Sequence, residues 1–237
     1  MKDKVSAILL AAGRGIRMRA AKNKAYLTLL GKPVIYYPLH EFQESSVDEI
    51  ILVVEEDEEK YARRIVSRNE FDKVRIVTGG YERFDSVMNG LEAADNPDYV
   101  LIHDGARAFI KREWIEQCIR RVKVDKACII GTPVKDTIKV VNEDQVAEDT
   151  PDRSTLWQVQ TPQCFSYREI LDAYRKMYEA GDLSMTDDGM VMETYGTLPV
   201  RIFAGSYENI KITTPEDMVL GEAILLSRTR KKARRYG

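Results

Sequence analysis

The chain has 237 residues, of which 44% are hydrophobic and 31% carry a charge. This length predicts one large domain with a sizeable core, and the composition is typical of a soluble globular protein. The 36 basic residues nearly balance the 38 acidic ones, so no overall electrostatic field favours nucleic acid or a membrane surface as a partner.

The amino-terminal apolar run, about eight residues before Gly13, is too short for a membrane-spanning helix. It ends in glycine and arginine, unlike a signal peptide. The three cysteines lie far apart and form no CxxC pair (Cys118, Cys128 and Cys164). They predict reduced thiols in the core and not a disulfide framework or a metal site, so we expect a cytoplasmic protein.

Five short apolar runs in the first 134 residues predict strands buried on both faces: Val5–Leu10, Ile50–Val54, Val74–Val77, Tyr99–Ile102 and Cys128–Val134. Helical patterns alternate with them, at residues 31–45, 55–69, 82–94 and 111–123. In the first of these, Pro33 is expected in the first helical turn. The alternation predicts an α/β fold of Rossmann-like type, a mostly parallel sheet flanked by helices on both faces.

The pattern changes after residue 134. Short apolar stretches alternate with polar turns, and we expect residues 134–158 to form a β arm that projects from the sheet. A helix is predicted at 167–180, a second one capped by Thr186 or Asp187, and strands in "LPVRIFAG" and "NIKIT".

The last predicted helix begins with Thr214 as N-cap, Pro215 in the first turn and Asp217 as capping-box partner. Six basic residues lie near its end, in "RTRKKARRYG". We interpret them as the solvated end of that helix, where the helix dipole favours cations. They favour a nucleic-acid partner only weakly, because the rest of the chain offers no matching basic face.

Ligands of open parallel sheets bind at the carboxyl ends of the strands, so the residues that follow the apolar runs form the candidate site. These residues are glycine-rich and charged: Gly13 to Arg17, Gly79 to Arg83, His103 to Arg107, and Lys211. Glycines in such turns let backbone N–H groups approach phosphate oxygens.

The loop after the first strand combines a G-x-G turn with four cations, Arg14, Arg17, Lys22 and Lys24. That much positive charge suits a triphosphate better than a dinucleotide pyrophosphate. Met18 replaces the third glycine of a dinucleotide motif, which disfavours an NAD-dependent oxidoreductase.

Asp104 is a carboxylate at the end of a buried strand, a position that suits Mg²⁺ held together with phosphate oxygens. The alternative is that Asp104 caps the following segment. His103 is expected to be a packed, hydrogen-bonded histidine. Since His40 is the only other histidine, a hydrolase triad is not expected.

Seven stretches in this order resemble the 2-C-methyl-D-erythritol 4-phosphate cytidylyltransferases of isoprenoid synthesis: "AILLAAGRGIRM", "GGYERFDSV", "HDGAR", "PVKDTIK", "DRSTLWQVQTPQCF", "TDDGMVME" and "ENIKITTPEDM". The resemblance runs from about residue 4 to residue 225, nearly the whole chain. It implies a single nucleotidyltransferase domain over residues 1–237. It also implies a reaction of CTP with methylerythritol phosphate that releases pyrophosphate and uses Mg²⁺.

The resemblance implies a role for each matching residue. Those matching the CTP site are Ala11, Ala12, Gly13, Gly15, Gly80, Tyr81, Arg83, Ser86 and Asp104, the last as metal ligand. Those matching the polyol phosphate site are Arg107, Arg153, Thr161, Thr186 and Lys211. Those matching the catalytic set are Arg17 and Lys24, which stabilise the transition state, and Arg153 and Lys211, which position the attacking phosphate.

In the family, the segment that holds Arg153 crosses into a partner subunit, which implies a homodimer joined through the β arm. Three positions depart from the family pattern. Asn23 precedes Lys24 where proline is usual, and Ala108 stands where proline is frequent. Glu208 stands where a shorter aspartate is also met, so its contact with metal is left open.

Two other functions are alternatives to the reaction with methylerythritol phosphate. One is a cytidylyltransferase for another polyol phosphate, such as ribitol 5-phosphate. Such relatives commonly carry "AGG" and "HDSVR", whereas this chain has "AAG" at 11–13 and "HDGAR" at 103–107. The other is a non-catalytic nucleotide-binding module on the same fold, which the complete set of charged positions disfavours.

Overall fold

The structure is a computed structural model that describes residues 2–13 and 23–236, the last six by their backbone alone. The described strands are β1 (Val5–Leu10), β2 (Thr28–Leu29), β3 (Lys32–Pro33), β4 (Glu49–Val54), β5 (Val74–Thr78), β6 (Tyr99–Asp104), β7 (Ala127–Pro133), β8 (Val140–Val141), β9 (Ala147–Asp149), β10 (Trp157–Ser166) and β11 (Arg201–Ala204). The described helices are α1 (Tyr36–Gln43), α2 (Glu59–Arg68), α3 (Arg83–Ala93), α4 (Arg112–Asp125), α5 (Tyr167–Ala180), α6 (Asp188–Tyr195) and α7 (Pro215–Tyr236).

The main sheet has seven strands in the order β11-β7-β10-β6-β1-β4-β5. All neighbours are parallel except β10, which is antiparallel to both β6 and β7. The mostly parallel sheet and its five predicted strands are confirmed. Because β7 and β10 are joined by a hairpin-like excursion and not by a crossover helix, β10 returns in the opposite direction.

Helices cover both faces of this sheet, and side chains of each strand alternate between the two layers. On β1, Leu9 packs under α1, α2 and α4, whereas Ile8 packs under α3, α5 and α6. The prediction of reduced cysteines in the core is confirmed. All three thiols are free and fully buried in the layer under α1, α2 and α4 (Cys118, Cys128 and Cys164). Among the described residues, no helix combines the length and apolar character needed to cross a membrane.

Two local predictions are wrong. Pro33 lies in β3 and not in a helix, because Leu30 and Gly31 turn the chain with positive φ and pair β2 with β3. The stretch "NIKIT" forms no strand. Its Ile212 donates a backbone hydrogen bond to Ala106 O, which holds this segment against the turn after β6.

The segment after β7 leaves the main sheet, as predicted. Strands β8 and β9 pair as a separate two-stranded ribbon with exposed side chains, among them Val140 and Val141, and Val146 in the turn between the two strands is exposed as well. The predicted boundary at residue 158 is wrong, because Trp157 and Gln158 already pair with β7 in the main sheet.

Candidate active site

A cavity of about 460 Å³ opens at the carboxyl ends of β1, β4, β5 and β6, four neighbouring parallel strands. Nine predicted site residues line it: Ala12, Gly13, Lys24, Gly80, Tyr81, Arg83, Ser86, Asp104 and Lys211. Five further residues line it: Glu82 and Ala106 belong to the predicted candidate-site stretches, and Leu10, Glu55 and Thr213 were not singled out by the sequence. The sheet therefore brings together most of the charged residues that follow its strands.

The turn after β5 packs tightly against the end of β1. A Cβ atom on Gly79 would lie 2.6 Å from Ala12 Cβ and 2.7 Å from Ser86 Oγ, so only glycine fits. The N–H of Gly80 donates to Ser86 Oγ at 3.1 Å. Ser86 is buried and holds this turn, while the Tyr81 side chain is 91% exposed.

Asp104 ends β6 and lies among three cations. Its Oδ2 atom is 2.8 Å from Lys211 Nζ and 3.7 Å from Arg107 Nε, and its Oδ1 atom is 3.5 Å from Arg83 Nε. Burial alone would raise the pKa of this carboxyl, but the charges of Arg83, Lys211 and Arg107 outweigh burial and lower it well below its usual range. Asp104 is therefore ionised at neutral pH and able to bind a cation.

Arg83 also forms a bidentate ion pair with Asp188 at the start of α6, with distances of 2.9 and 2.8 Å. Asp188 is fully buried and accepts a third hydrogen bond from Tyr174 at 2.6 Å. Burial alone would lower the pKa of Arg83, but the charge of Asp188, followed by that of Asp104, raises it well above its usual value. The sequence motif "TDDGM" suggested a helix cap here, and Asp187 does cap α6, but the pairing of Asp188 was missed.

Of the residues predicted for the polyol phosphate site, only Lys211 lines this cavity. Arg107 is largely buried and donates to the carbonyl of Asn209 at 2.9 Å. Thr161 is 3% exposed, and its hydroxyl lies 3.0 Å from both Asp104 N and His103 Nδ1. The prediction of a packed, hydrogen-bonded His103 is confirmed, and burial lowers the pKa of that imidazole to about 4.

An acidic segment after β4 holds the two described ends of the first loop. Gly13 N donates to Glu55 Oε1 at 2.9 Å. On the other side, Asn23 Nδ2 donates to Ala11 O at 2.6 Å and to Glu58 Oε2 at 2.9 Å. In the sequence this acidic run was interpreted only as the start of a helix, so these contacts were missed.

Other predicted residues lie elsewhere or outside the description. Ala11 is buried beside the cavity, and its N–H donates to Val53 O at 2.8 Å. Thr186 is exposed and lines, with Arg83, a smaller cavity of about 170 Å³. Arg153 lies on the exposed arm and donates to Lys135 O. Residues outside the description are Arg14, Gly15, Arg17 and Lys22.

Asp104 is the only carboxylate that the sequence predicted as a Mg²⁺ ligand. The described residues contain no cluster of three or more His, Cys, Asp or Glu side chains able to hold a metal. One ionised carboxylate on the cavity wall fits Mg²⁺ when phosphate oxygens and water complete the coordination, as is usual at nucleotide sites. Glu208, whose contact with a metal the sequence left open, pairs with Arg228 at 3.0 Å and with Lys111 at 3.7 Å.

Glycine turns, two lysines and one ionised carboxylate lie together at the carboxyl edge of a mostly parallel sheet, where α/β enzymes of this fold class have their ligand sites. Comparison with known proteins gives the class more closely. The sequence model of the family described as 2-C-methyl-D-erythritol 4-phosphate cytidylyltransferase (IspD) matches residues 5–227. The chain belongs to this family of nucleotidyltransferases.

Individual relatives agree with that assignment. A 2-C-methyl-D-erythritol 4-phosphate cytidylyltransferase of Lachnospira eligens is 48% identical over 223 residues, 93% of this chain and 98% of the relative. One from Lachnoclostridium phytofermentans is 45% identical over 225 residues, 94% and 97% of the two chains. The crystal structure of 4-diphosphocytidyl-2C-methyl-D-erythritol synthase from Anaerococcus prevotii superimposes with a TM-score of 0.84 at 34% sequence identity. The match covers 94% of this chain and 96% of the chain in that structure.

Proposed function

We propose that this chain transfers the cytidylyl group of CTP to 2-C-methyl-D-erythritol 4-phosphate and releases pyrophosphate. The products are 4-(cytidine 5'-diphospho)-2-C-methyl-D-erythritol and pyrophosphate, as in isoprenoid synthesis. The observation that carries the proposal is the cavity at the sheet edge, where Lys24, Lys211 and Asp104 meet the glycine turns in a member of this family.

The chemistry needs no covalent enzyme intermediate. An oxygen of the acceptor phosphate attacks the α-phosphorus of CTP, a new O–P bond forms, and the bond to the bridging oxygen of the β-phosphate breaks. The acceptor phosphate is already a nucleophile, so no general base is required. Catalysis then consists of positioning two anions in line and stabilising the charge that develops between them.

The cations of the site divide between the two substrates. Lys24 and Arg17 stabilise the triphosphate, with Arg17 assigned from the sequence alone because it lies outside the described residues. Lys211 and Arg107, which both face Asp104 Oδ2, hold the acceptor phosphate. Gly80 and Ser86 shape the turn that receives the base.

Asp104 is the residue that would hold Mg²⁺, together with oxygens of the triphosphate. A bound Mg²⁺ would supply neutralisation of phosphate charge. Lys211 Nζ donates to the same carboxylate, so Asp104 also orients this lysine. Its strongly lowered pKa keeps the carboxylate ionised for both tasks.

We also propose that the chain acts as a homodimer in which the β arm, here residues 134–156, brings Arg153 to the site of a second copy. Two features support this. Arg153 does not line the cavity of its own chain, and the arm exposes apolar side chains such as Val140 and Val146. The three buried free thiols further support a cytoplasmic location, where cysteines stay reduced.

An acceptor comparison tests the reaction. The protein is given CTP with Mg²⁺ and either methylerythritol phosphate or ribitol 5-phosphate, and pyrophosphate release is measured. Faster turnover with methylerythritol phosphate is expected. Faster turnover with ribitol 5-phosphate would assign the other acceptor, and no release with either would contradict an enzymatic role.

Mixing two inactive variants tests the shared site. The Lys24→Ala and Arg153→Ala proteins are mixed in equal amounts, unfolded and refolded together, and the mixture is assayed. If each site takes Arg153 from its partner, half of the dimers are mixed and each has one intact site, so about a quarter of wild-type activity should return. No recovery in a folded, dimeric mixture would contradict the shared site, and each variant refolded alone is the control.

A further inference from the structure

His103 connects three segments of the candidate active site without lining its cavity. The residue is fully buried at the end of β6. Its Nδ1 atom lies 3.0 Å from Thr161 Oγ1 on β10, and its Nε2 atom lies 3.2 Å from the carbonyl oxygen of Arg107. Its ring also packs against Phe42, with centroids 5.3 Å apart.

The direction of each hydrogen bond in this chain of contacts follows from the groups at its two ends and from the burial of the imidazole. The backbone N–H of Asp104 can only donate, so Thr161 Oγ1 accepts it, at 3.0 Å. The carbonyl of Arg107 can only accept, so His103 Nε2 carries a hydrogen and donates it. The imidazole is fully buried and both of its nitrogens face uncharged groups, so it is neutral, with its proton on Nε2. Nδ1 therefore accepts, and the Thr161 hydroxyl donates its single hydrogen to it.

These bonds hold both ends of one turn. Asp104 and Arg107 are its first and last residues, and Arg107 N donates to Asp104 O at 2.9 Å. The turn carries the carboxylate that faces Lys211 and the guanidinium assigned to the acceptor phosphate. An imidazole that bonds through both nitrogens thus ties the turn to β10.

We propose that His103 is a positioning residue for the cytidylyl transfer, because its bonds to Thr161 and Arg107 fix the turn that carries Asp104. The proposal rests on the proposed function for its kinetic consequences. It also changes the role expected of Thr161. A substrate phosphate only accepts hydrogen bonds, and the one hydrogen of this hydroxyl is already donated to His103, so Thr161 acts through the turn as well.

Kinetics of His103 variants test this role. His103→Leu removes both hydrogen bonds at similar volume and should lower kcat at least about tenfold, with little change in KM for CTP, as for other residues that orient a ligand-binding carboxylate. The Mg²⁺ concentration for half-maximal rate should rise severalfold. His103→Gln, whose amide can still donate toward Arg107 O, should recover part of kcat. His40→Leu is the matched control, because His40 is exposed and outside this site.

A folded His103→Leu protein with kcat and Mg²⁺ requirement within about twofold of wild type would overturn the proposal. If that variant does not fold, Thr161→Ser and Thr161→Val decide the matter. Serine retains the hydroxyl and should keep clearly more activity than the isosteric valine. Equal activities would overturn the proposal.

A spectroscopic measurement is independent of turnover. The imidazole ¹⁵N spectrum of the wild-type protein without substrates should show one histidine as the neutral Nε2–H tautomer, and this signal should disappear in His103→Leu. A hydrogen on Nδ1, or a charged ring at neutral pH, would contradict the hydrogen-bond directions. Because wild-type turnover is measured separately, failure of the proposed reaction and failure of the positioning role give different results.

Discussion

Lys211 Nζ lies 2.8 Å from Asp104 Oδ2, and both side chains line the cavity at the sheet edge. Lys211 comes from a segment without regular structure, and Asp104 is the last residue of β6. The segment is held in place by Asn209, whose Nδ2 donates to Thr161 O at 2.9 Å. The ion pair therefore joins a lysine proposed to hold the acceptor phosphate to the carboxylate proposed to hold Mg²⁺.

Loss of a cation from the triphosphate side should abolish turnover while the fold survives. Lys24→Ala and Arg17→Ala should each lower kcat at least about 100-fold, roughly 3 kcal/mol, as when a group that stabilises transition-state charge is removed. Circular dichroism and pyrophosphate release measure the two properties. Lys60→Ala on the exposed side of α2 is the control. Turnover within tenfold of wild type for both variants would refute their assignment.

The buried Arg83–Asp188 pair should contribute to stability. Asp188→Ala leaves the guanidinium without its bidentate partner and Tyr174 without its acceptor, so the free energy of unfolding should fall by about 3 kcal/mol. Urea unfolding measures this. Asp172→Ala breaks only an exposed pair with Lys176 and should cost less than about 1 kcal/mol. Equal losses for the two variants would contradict the prediction.

The stability of the protein should depend on pH through Glu58. Burial raises the pKa of this carboxyl from 4.5 to about 7. Between these values the folded protein binds more protons than the unfolded chain, so the free energy of unfolding falls as the pH rises from 4.5 to 7. Glu58→Gln has no carboxyl to ionise there and can still accept the hydrogen bond from Asn23. The free energy of unfolding of this variant minus that of wild type should therefore be larger at pH 8 than at pH 4.5.

The exposed Glu56→Gln is the control for this pH effect. Urea unfolding at several pH values would measure the difference between each variant and wild type. A difference for Glu58→Gln that stays constant with pH, or that moves in the opposite direction, would show that this carboxyl does not carry the effect.

The turn after β6 should not tolerate a side chain at Gly105. A Cβ atom there would lie 2.6 Å from Ile35 Cδ1 and 2.8 Å from Leu10 O, so Gly105→Ala should cost about 2 kcal/mol of stability and also lower kcat. Gly189→Ala is the matched control, because its Cβ would meet nothing closer than 3.5 Å. Thermal unfolding and pyrophosphate release check both variants. Equal Tm values for the two alanine variants would contradict the packing argument.

The parts of the fold that were predictable have local causes. The continuous apolar run Val5–Leu10 is buried on both faces, as its composition requires, and α5 spans the predicted residues 167–180. The wrong predictions are also informative. Pro33 suits a helix start or a short strand equally well, and the turn at Leu30 and Gly31 decided between them.

The candidate site was predictable to the extent that it follows from strand ends. Asp104 and Gly80 follow within a few residues of the apolar runs that end at Ile102 and Val77, and a parallel sheet places such positions along one edge. The partners of these residues have no such signal. Asp188 meets Arg83, and Thr161 meets His103, only because separate elements pack in a particular register.

By itself, the sequence determined the α/β class, the positions of the first five main-sheet strands along the chain and the charged residues at their carboxyl ends, because burial periodicity and turn residues are local properties. Only the tertiary structure decided that β10 runs antiparallel, that Asp104 lies among three cations and that His103 ties its turn to Thr161. Those contacts join residues far apart along the chain. Their geometry depends on how helices and strands pack, which no short stretch of sequence encodes.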